Sequence, residues 1–84
     1  MRSYEPAYSH EALEALLAAD STQRERARAL VRQLCSTPGR AGDYRAMDKN
    51  GQEWEVIFVD GVILTYRPDD AVREVRVATI DWVD

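Results

Sequence analysis

The sequence predicts an α+β fold: a short N-terminal strand, a two-helix unit, then a four-stranded antiparallel β-meander, all in one domain over residues 1–84. Three observations lead there. Apolar residues recur at helical spacing through the first half of the chain and alternate at strand spacing through the second. Asn50-Gly51 and Asp60-Gly61 then punctuate the alternating segments with residues that tolerate positive φ, as tight hairpin turns require.

Residues 2–8, with Tyr4 and Tyr8 around Pro6, read as a short edge strand, where proline is tolerated. Ser9 is a candidate N-cap, followed by His10 and Glu11 in a first turn that favours acids. Leu13, Leu16 and Leu17, with Ala12 beside them, give the first helix one apolar face ending near Ala19. Asp20 starts a second helix, and Gln23 three residues later completes a capping-box pattern. Its stripe is Ala27, Leu30, Val31, Leu34 and Cys35, and Pro38-Gly39 stops it. One or two residues separate the helices, so they meet at a tight corner. Neither would be stable alone at this length, so their apolar faces need a sheet to cover.

Strands are expected over residues 43–48, 53–60, 61–67 and 72–82. Trp54, Val56 and Phe58 point one way in the second of these, while Glu53, Glu55 and Ile57 point the other. Val62, Leu64 and Tyr66 alternate with Ile63, Thr65 and Arg67. In the last strand, alternation sets Val75 and Val77 against Arg76, Ala78, Ile80 and Trp82. One face of the sheet should meet the helices and leave the other partly open.

Composition narrows the function. At 84 residues the core is small, and 45% hydrophobic with 31% charged residues is ordinary for a soluble globular domain. No apolar run reaches the roughly 20 residues that span a bilayer, and no signal-peptide pattern opens the chain, so a cytoplasmic protein without a membrane partner is expected. Cys35 is the single cysteine, which precludes an intramolecular disulfide. The net charge of −4 is uneven: residues 1–42 carry six Arg and five acids (+1), residues 43–84 five Lys or Arg and ten acids (−5). Such a sheet half repels phosphate backbones over its average surface, so nucleic-acid binding would need a local basic patch.

Metal or cofactor chemistry is not expected. There is one His and one Cys, with no partner at ligand spacing, and Asp69-Asp70 falls in a turn. Cys35 lies in the buried stripe, where a thiol is inert, and His10 reads as a surface residue. Pro38-Gly39-Arg40-Ala41-Gly42 lacks the following helix of a phosphate-cradling loop. Arginines remain. Arg24, Arg28 and Arg32 form a stripe on the second helix, either a solvated face whose stems cover the sheet edge or a contact to a partner or phosphate backbone. Arg45, Arg67 and Arg76 belong to the sheet; convergent, they would stabilise a phosphoryl transition state, whereas pairing with Glu53, Glu55 and Glu74 would make them structural.

The order of elements carries a resemblance. Asp43-Tyr44-Arg45 opens the meander after a Pro-Gly loop, and Tyr66 precedes an acidic turn and alternating Val and Ile. From about Tyr8 to Trp82 the chain resembles the RelE/ParE superfamily of bacterial toxins. The resemblance implies a type II toxin–antitoxin toxin, encoded beside a cognate antitoxin that wraps its surface. RelE-like members cut mRNA on the ribosome without metal, using arginines and lysines on the concave sheet face and a basic or aromatic residue after the last strand; ParE-like members act on DNA gyrase. Carried over, Arg45 matches the basic position of the first meander strand, and Arg67 and Arg76 match later sheet positions approximately, as catalytic residues of a metal-independent endoribonuclease. Three departures imply that this nuclease site is degenerate: the acidic ending Asp81-Trp82-Val83-Asp84, the added strand at 54–59, and the acidic net charge. A non-enzymatic protein-interaction module on the same scaffold is the alternative. An uncovered helix face or edge strand also predicts a homodimer or a stable antitoxin complex.

Overall fold

In the computed structural model, which describes residues 3–83, the chain runs β1 (Glu5–Tyr8), α1 (His10–Ala18), α2 (Ser21–Ser36), β2 (Tyr44–Met47), β3 (Glu53–Val59), β4 (Val62–Asp69) and β5 (Glu74–Trp82). The expected start of the first strand at Arg2 and the terminal Asp84 lie outside the described residues. The five strands form one sheet in the order β1-β5-β4-β3-β2. The last four make the expected antiparallel meander, and β1 is an edge strand lying parallel to β5, so the sheet is mixed.

The helix ends follow the sequence signals. Ser9 caps α1, its hydroxyl accepting the Ala12 N–H at 3.0 Å. Asp20 and Gln23 close a reciprocal capping box at α2. Between the helices, Arg24 reaches back and donates to the carbonyls of Leu16 (2.9 Å) and Ala19 (2.8 Å). Both carbonyls lie at the α1 C-terminus, where acceptors run short of intrahelical partners, so Arg24 is a clasp rather than a member of a solvated arginine stripe.

Both helices pack on one face of the sheet. Ala12, Leu16, Ala27, Leu30, Val31 and Leu34 meet Ile57, Val62, Leu64, Tyr66, Val75, Val77 and Ile80 in a single core. Tyr66 is fully buried there, and its hydroxyl donates to the Arg40 carbonyl at 2.8 Å, fixing the loop after α2. Two expectations change. On α1 only Ala12 and Leu16 are buried; Leu13 and Leu17 remain 45% and 78% exposed, because the short helix meets the sheet along a narrow line. On β5, Ile80 and Trp82 share the face of Val75 and Val77 instead of opposing it. The register runs Tyr66↔Val77 and then Thr65↔Thr79, so Ala78 is an extra residue and reverses the alternation beyond it. Ser9 ties this bulge down, donating its hydroxyl to the Ala78 carbonyl at 2.6 Å and its N–H to the Val77 carbonyl at 2.9 Å.

The turns use different chemistry. Asp60 and Gly61 both have positive φ (54° and 78°), as a two-residue hairpin between β3 and β4 requires. At the other hairpin only Gly51 is left-handed (81°), while the Asp48 carboxylate accepts the Asn50 and Gln52 N–H groups. Among the described residues, no helix is long and apolar enough to cross a membrane.

Candidate functional site

The face of the sheet away from the helices is where side chains are free to act. Alternation along each strand sends Trp54, Ile63, Thr65, Arg67, Arg76 and Thr79 to this side. Arg67 and Arg76 stand directly opposite each other on β4 and β5. Two like charges in that position repel, so each needs a compensating neighbour. Arg76 donates Nε–H to Asp69 Oδ2 at 3.1 Å. The Arg67 guanidinium lies 5.3 Å from the centroid of the Trp54 ring, a cation–π stack. Arg67 Nε is buried with no hydrogen-bond partner.

Trp54 is itself held. Its indole N–H donates to Asp48 Oδ2 at 3.0 Å. That hydrogen bond, followed by the Gln52 N–H, keeps the Asp48 carboxyl below the usual carboxylate range. The result is a fixed row across three strands: carboxylate, indole, guanidinium, guanidinium, carboxylate. Beside it lies an open cleft of about 450 Å³ between Trp54 and the β1–α1 junction, lined also by His10, Glu11 and Arg76. His10 stands on the rim, its side chain 88% exposed and 3.5 Å from Glu14.

Arg45 is elsewhere. It pairs in register with Glu55, which shares the helix side of the sheet with Ile57 and Tyr66. Arg45 donates to Glu55 Oε2 at 3.0 Å, while Oε1 of the same carboxylate accepts the Gly42 N–H at 2.8 Å. The structure therefore brings Arg67 and Arg76 together and sets Arg45 on the opposite side. Sequence reasoning did not include Trp54, Asp48 or Asp69 in the site; the signal for Trp54 was its alternation phase, which puts it on the same open side as Arg67. Among the described residues, no group of three or more His, Cys, Asp or Glu side chains is placed to hold a metal ion. Chemically, two adjacent guanidiniums and an indole suit an anion joined to a flat ring.

No protein-family model and no curated protein matches the chain in sequence. Solved structures do match in shape. A chain of the toxin–antitoxin complex RelBE2 from Mycobacterium tuberculosis superposes with a TM-score of 0.81 at 18% identity, over 99% of this chain and 94% of that one. The isolated E. coli RelE toxin gives 0.77 at 20% identity, covering 98% and 86%. The fold is that of the RelE toxins. An archaeal example, from the RelE–RelB complex of Pyrococcus horikoshii, shares the RelE-like fold at 8% identity with a TM-score of 0.72, over 96% of both chains. At such identities the RelE-like fold persists while most residues have changed. The site must therefore be read from this chain's own residues.

Proposed function

We propose that this chain is the toxin-like component of a type II toxin–antitoxin pair, binding a cognate antitoxin through a RelE-like scaffold whose nuclease site is degenerate. The observation that carries the reading is the superposition of 99% of the chain on a chain of a RelBE toxin–antitoxin complex. Degeneracy is supported by the arginines. Arg45 is paired with Glu55 on the helix side, Arg76 is paired with Asp69, and Arg67 is committed to Trp54. An in-line attack on a phosphodiester needs cationic groups free to meet developing negative charge and a placed proton acceptor. Of the three candidates, Arg67 and Arg76 alone share a face, and both are engaged.

Expression of the chain alone in bacteria, with growth and translation followed over time, tests the activity. No arrest is expected. Arrest abolished by Arg67→Ala with Arg76→Ala would instead establish an active ribonuclease face, and arrest indifferent to that change would point to another target such as gyrase. Co-expression with the product of the neighbouring gene, followed by gel filtration, tests the partner. A single complex is expected; the chain eluting apart from that product would end the toxin–antitoxin reading.

A further inference from the structure

On the helix side, between the free edge of β1 and the flank of α2, runs a groove of about 470 Å³. That size lies within the roughly 300–1,000 Å³ typical of ligand sites. Pro6, Tyr8, Val31 and Cys35 supply its apolar lining, and Arg28 and Arg32 its cationic rim. A second depression of about 540 Å³ adjoins it, sharing Arg32 and Ser36 and ending at Arg40. The sheet's open face plays no part in either.

Charge is concentrated here against the trend of the molecule. The chain carries −4 overall, yet α2 holds Arg24, Arg26, Arg28 and Arg32 against Glu25 alone, a local +3. Arg24 is consumed by the α1 carbonyls. Among the described residues Arg28 and Arg40 enter no ion pair. Arg32 reaches Glu25 only at 3.5 Å, with 65% of its side chain exposed, a contact easily exchanged for a better one. Arg28 and Arg32 therefore border an apolar trough that no other described residue fills, and Arg40 stands at the far end of the adjoining depression.

We propose that this groove docks an acidic peptide segment of a partner protein, with an apolar side chain seated on Val31 and Cys35 and its carboxylates on Arg28, Arg32 and Arg40. Guanidinium forks bind carboxylates in two-point contacts, and an apolar anchor in a desolvated pocket supplies the affinity that surface ion pairs lack. Nucleic acid fits less well, since an apolar floor gives a phosphodiester nothing to bind; Glu5, which also lines the groove, repels either anion and so confines the peptide's carboxylates to the α2 side. The proposal rests on the toxin–antitoxin reading only for the source of the segment, which would be the antitoxin; the groove's chemistry is independent of it.

The test uses a short fluorescein-labelled peptide with Glu interleaved with Leu and Phe, the same peptide with Lys for Glu, and oligouridylate RNA. Fluorescence anisotropy should show the acidic peptide binding the intact chain and the basic peptide not. Arg28→Glu with Arg32→Glu should weaken it about tenfold or more, through like-charge contact. In the unaltered protein, amide shift changes on binding should centre on Tyr8, Val31 and Cys35, which keeps the test valid if the variant folds poorly. Absence of binding, equal binding of both peptides, competition by the RNA, or shifts centred on the open sheet face would overturn the proposal. So would a dimer of the chain that the double variant turns into a monomer, because a second copy would then be the occupant. Peptide binding at the groove with no complex at gel filtration would refute the toxin–antitoxin reading and leave the groove standing.

Discussion

At Gly42 the chain passes so close to β3 that a side chain has no room: a Cβ would stand 2.5 Å from the Val56 carbonyl oxygen and 2.9 Å from its nitrogen. All the nearest atoms are backbone, so they cannot swing aside. The close approach also lets the Gly42 N–H reach Glu55, the carboxylate that retains Arg45. Gly42→Ala is expected to destabilise the protein by about 1–3 kcal/mol, as overpacking does. Gly39→Ala, three residues earlier with nothing within 4 Å, should change stability by no more than about 0.5 kcal/mol. Urea unfolding of the two variants side by side checks both. Nothing in the sequence separates these glycines, because the difference is made by a strand fourteen positions further on (56 − 42 = 14). The same holds for Arg45 against Arg67: each is an arginine on a short strand, and only the register with Glu55 puts the first on the helix side.

Among the elements, the junction of β1, α1 and β5 depends on one hydroxyl. Ser9 caps α1 and also donates to the carbonyl of the bulged Ala78. Ser9→Ala removes both bonds at once and is expected to cost about 2 kcal/mol, at the upper end for an N-cap. Ser9→Asp keeps an acceptor for the helix but sets a carboxylate against a carbonyl, so it should restore only part of that loss. Thermal melts of the two variants measure the split. Most element boundaries were legible: Asp20 with Gln23, Pro38-Gly39 and Asp60-Gly61 act through neighbours within a few positions. The bulge was written too, as a slip in the apolar period (Val75, Val77, then Ile80, Trp82), but strict alternation reads across it. The exposed flank of α1 was not legible, because how much of a short helix a sheet covers is a property of the sheet.

For the whole molecule, burial couples protonation to stability. Desolvation pushes the Tyr8 and Tyr66 phenols above the ordinary 10.0 and the Cys35 thiol above the ordinary 9.0. The folded chain thus keeps these protons to higher pH than the unfolded chain does. Their contribution is fully present below about pH 9 and is lost as pH rises through the raised folded values. Melting temperature followed by circular dichroism should hold level to about pH 9 and then fall; a melting temperature that stays level above that point would show that burial does not shift these groups. The fold class was legible because the helical and strand periods occupy separate halves of the chain, whereas the parallel pairing of β1 with β5 was not, since no local signal names a partner so distant. That pairing has a temporal consequence. Ser9 and Ala78 touch across 69 positions of sequence, so β1 has no strand to pair with until β5 leaves the ribosome. Such distant closure slows folding and keeps apolar surface uncovered in the meantime. Synthesis must therefore pass β5 before this protein can bury its core, and a chain terminated short of β5 would be left with a β1 that has nowhere to pair.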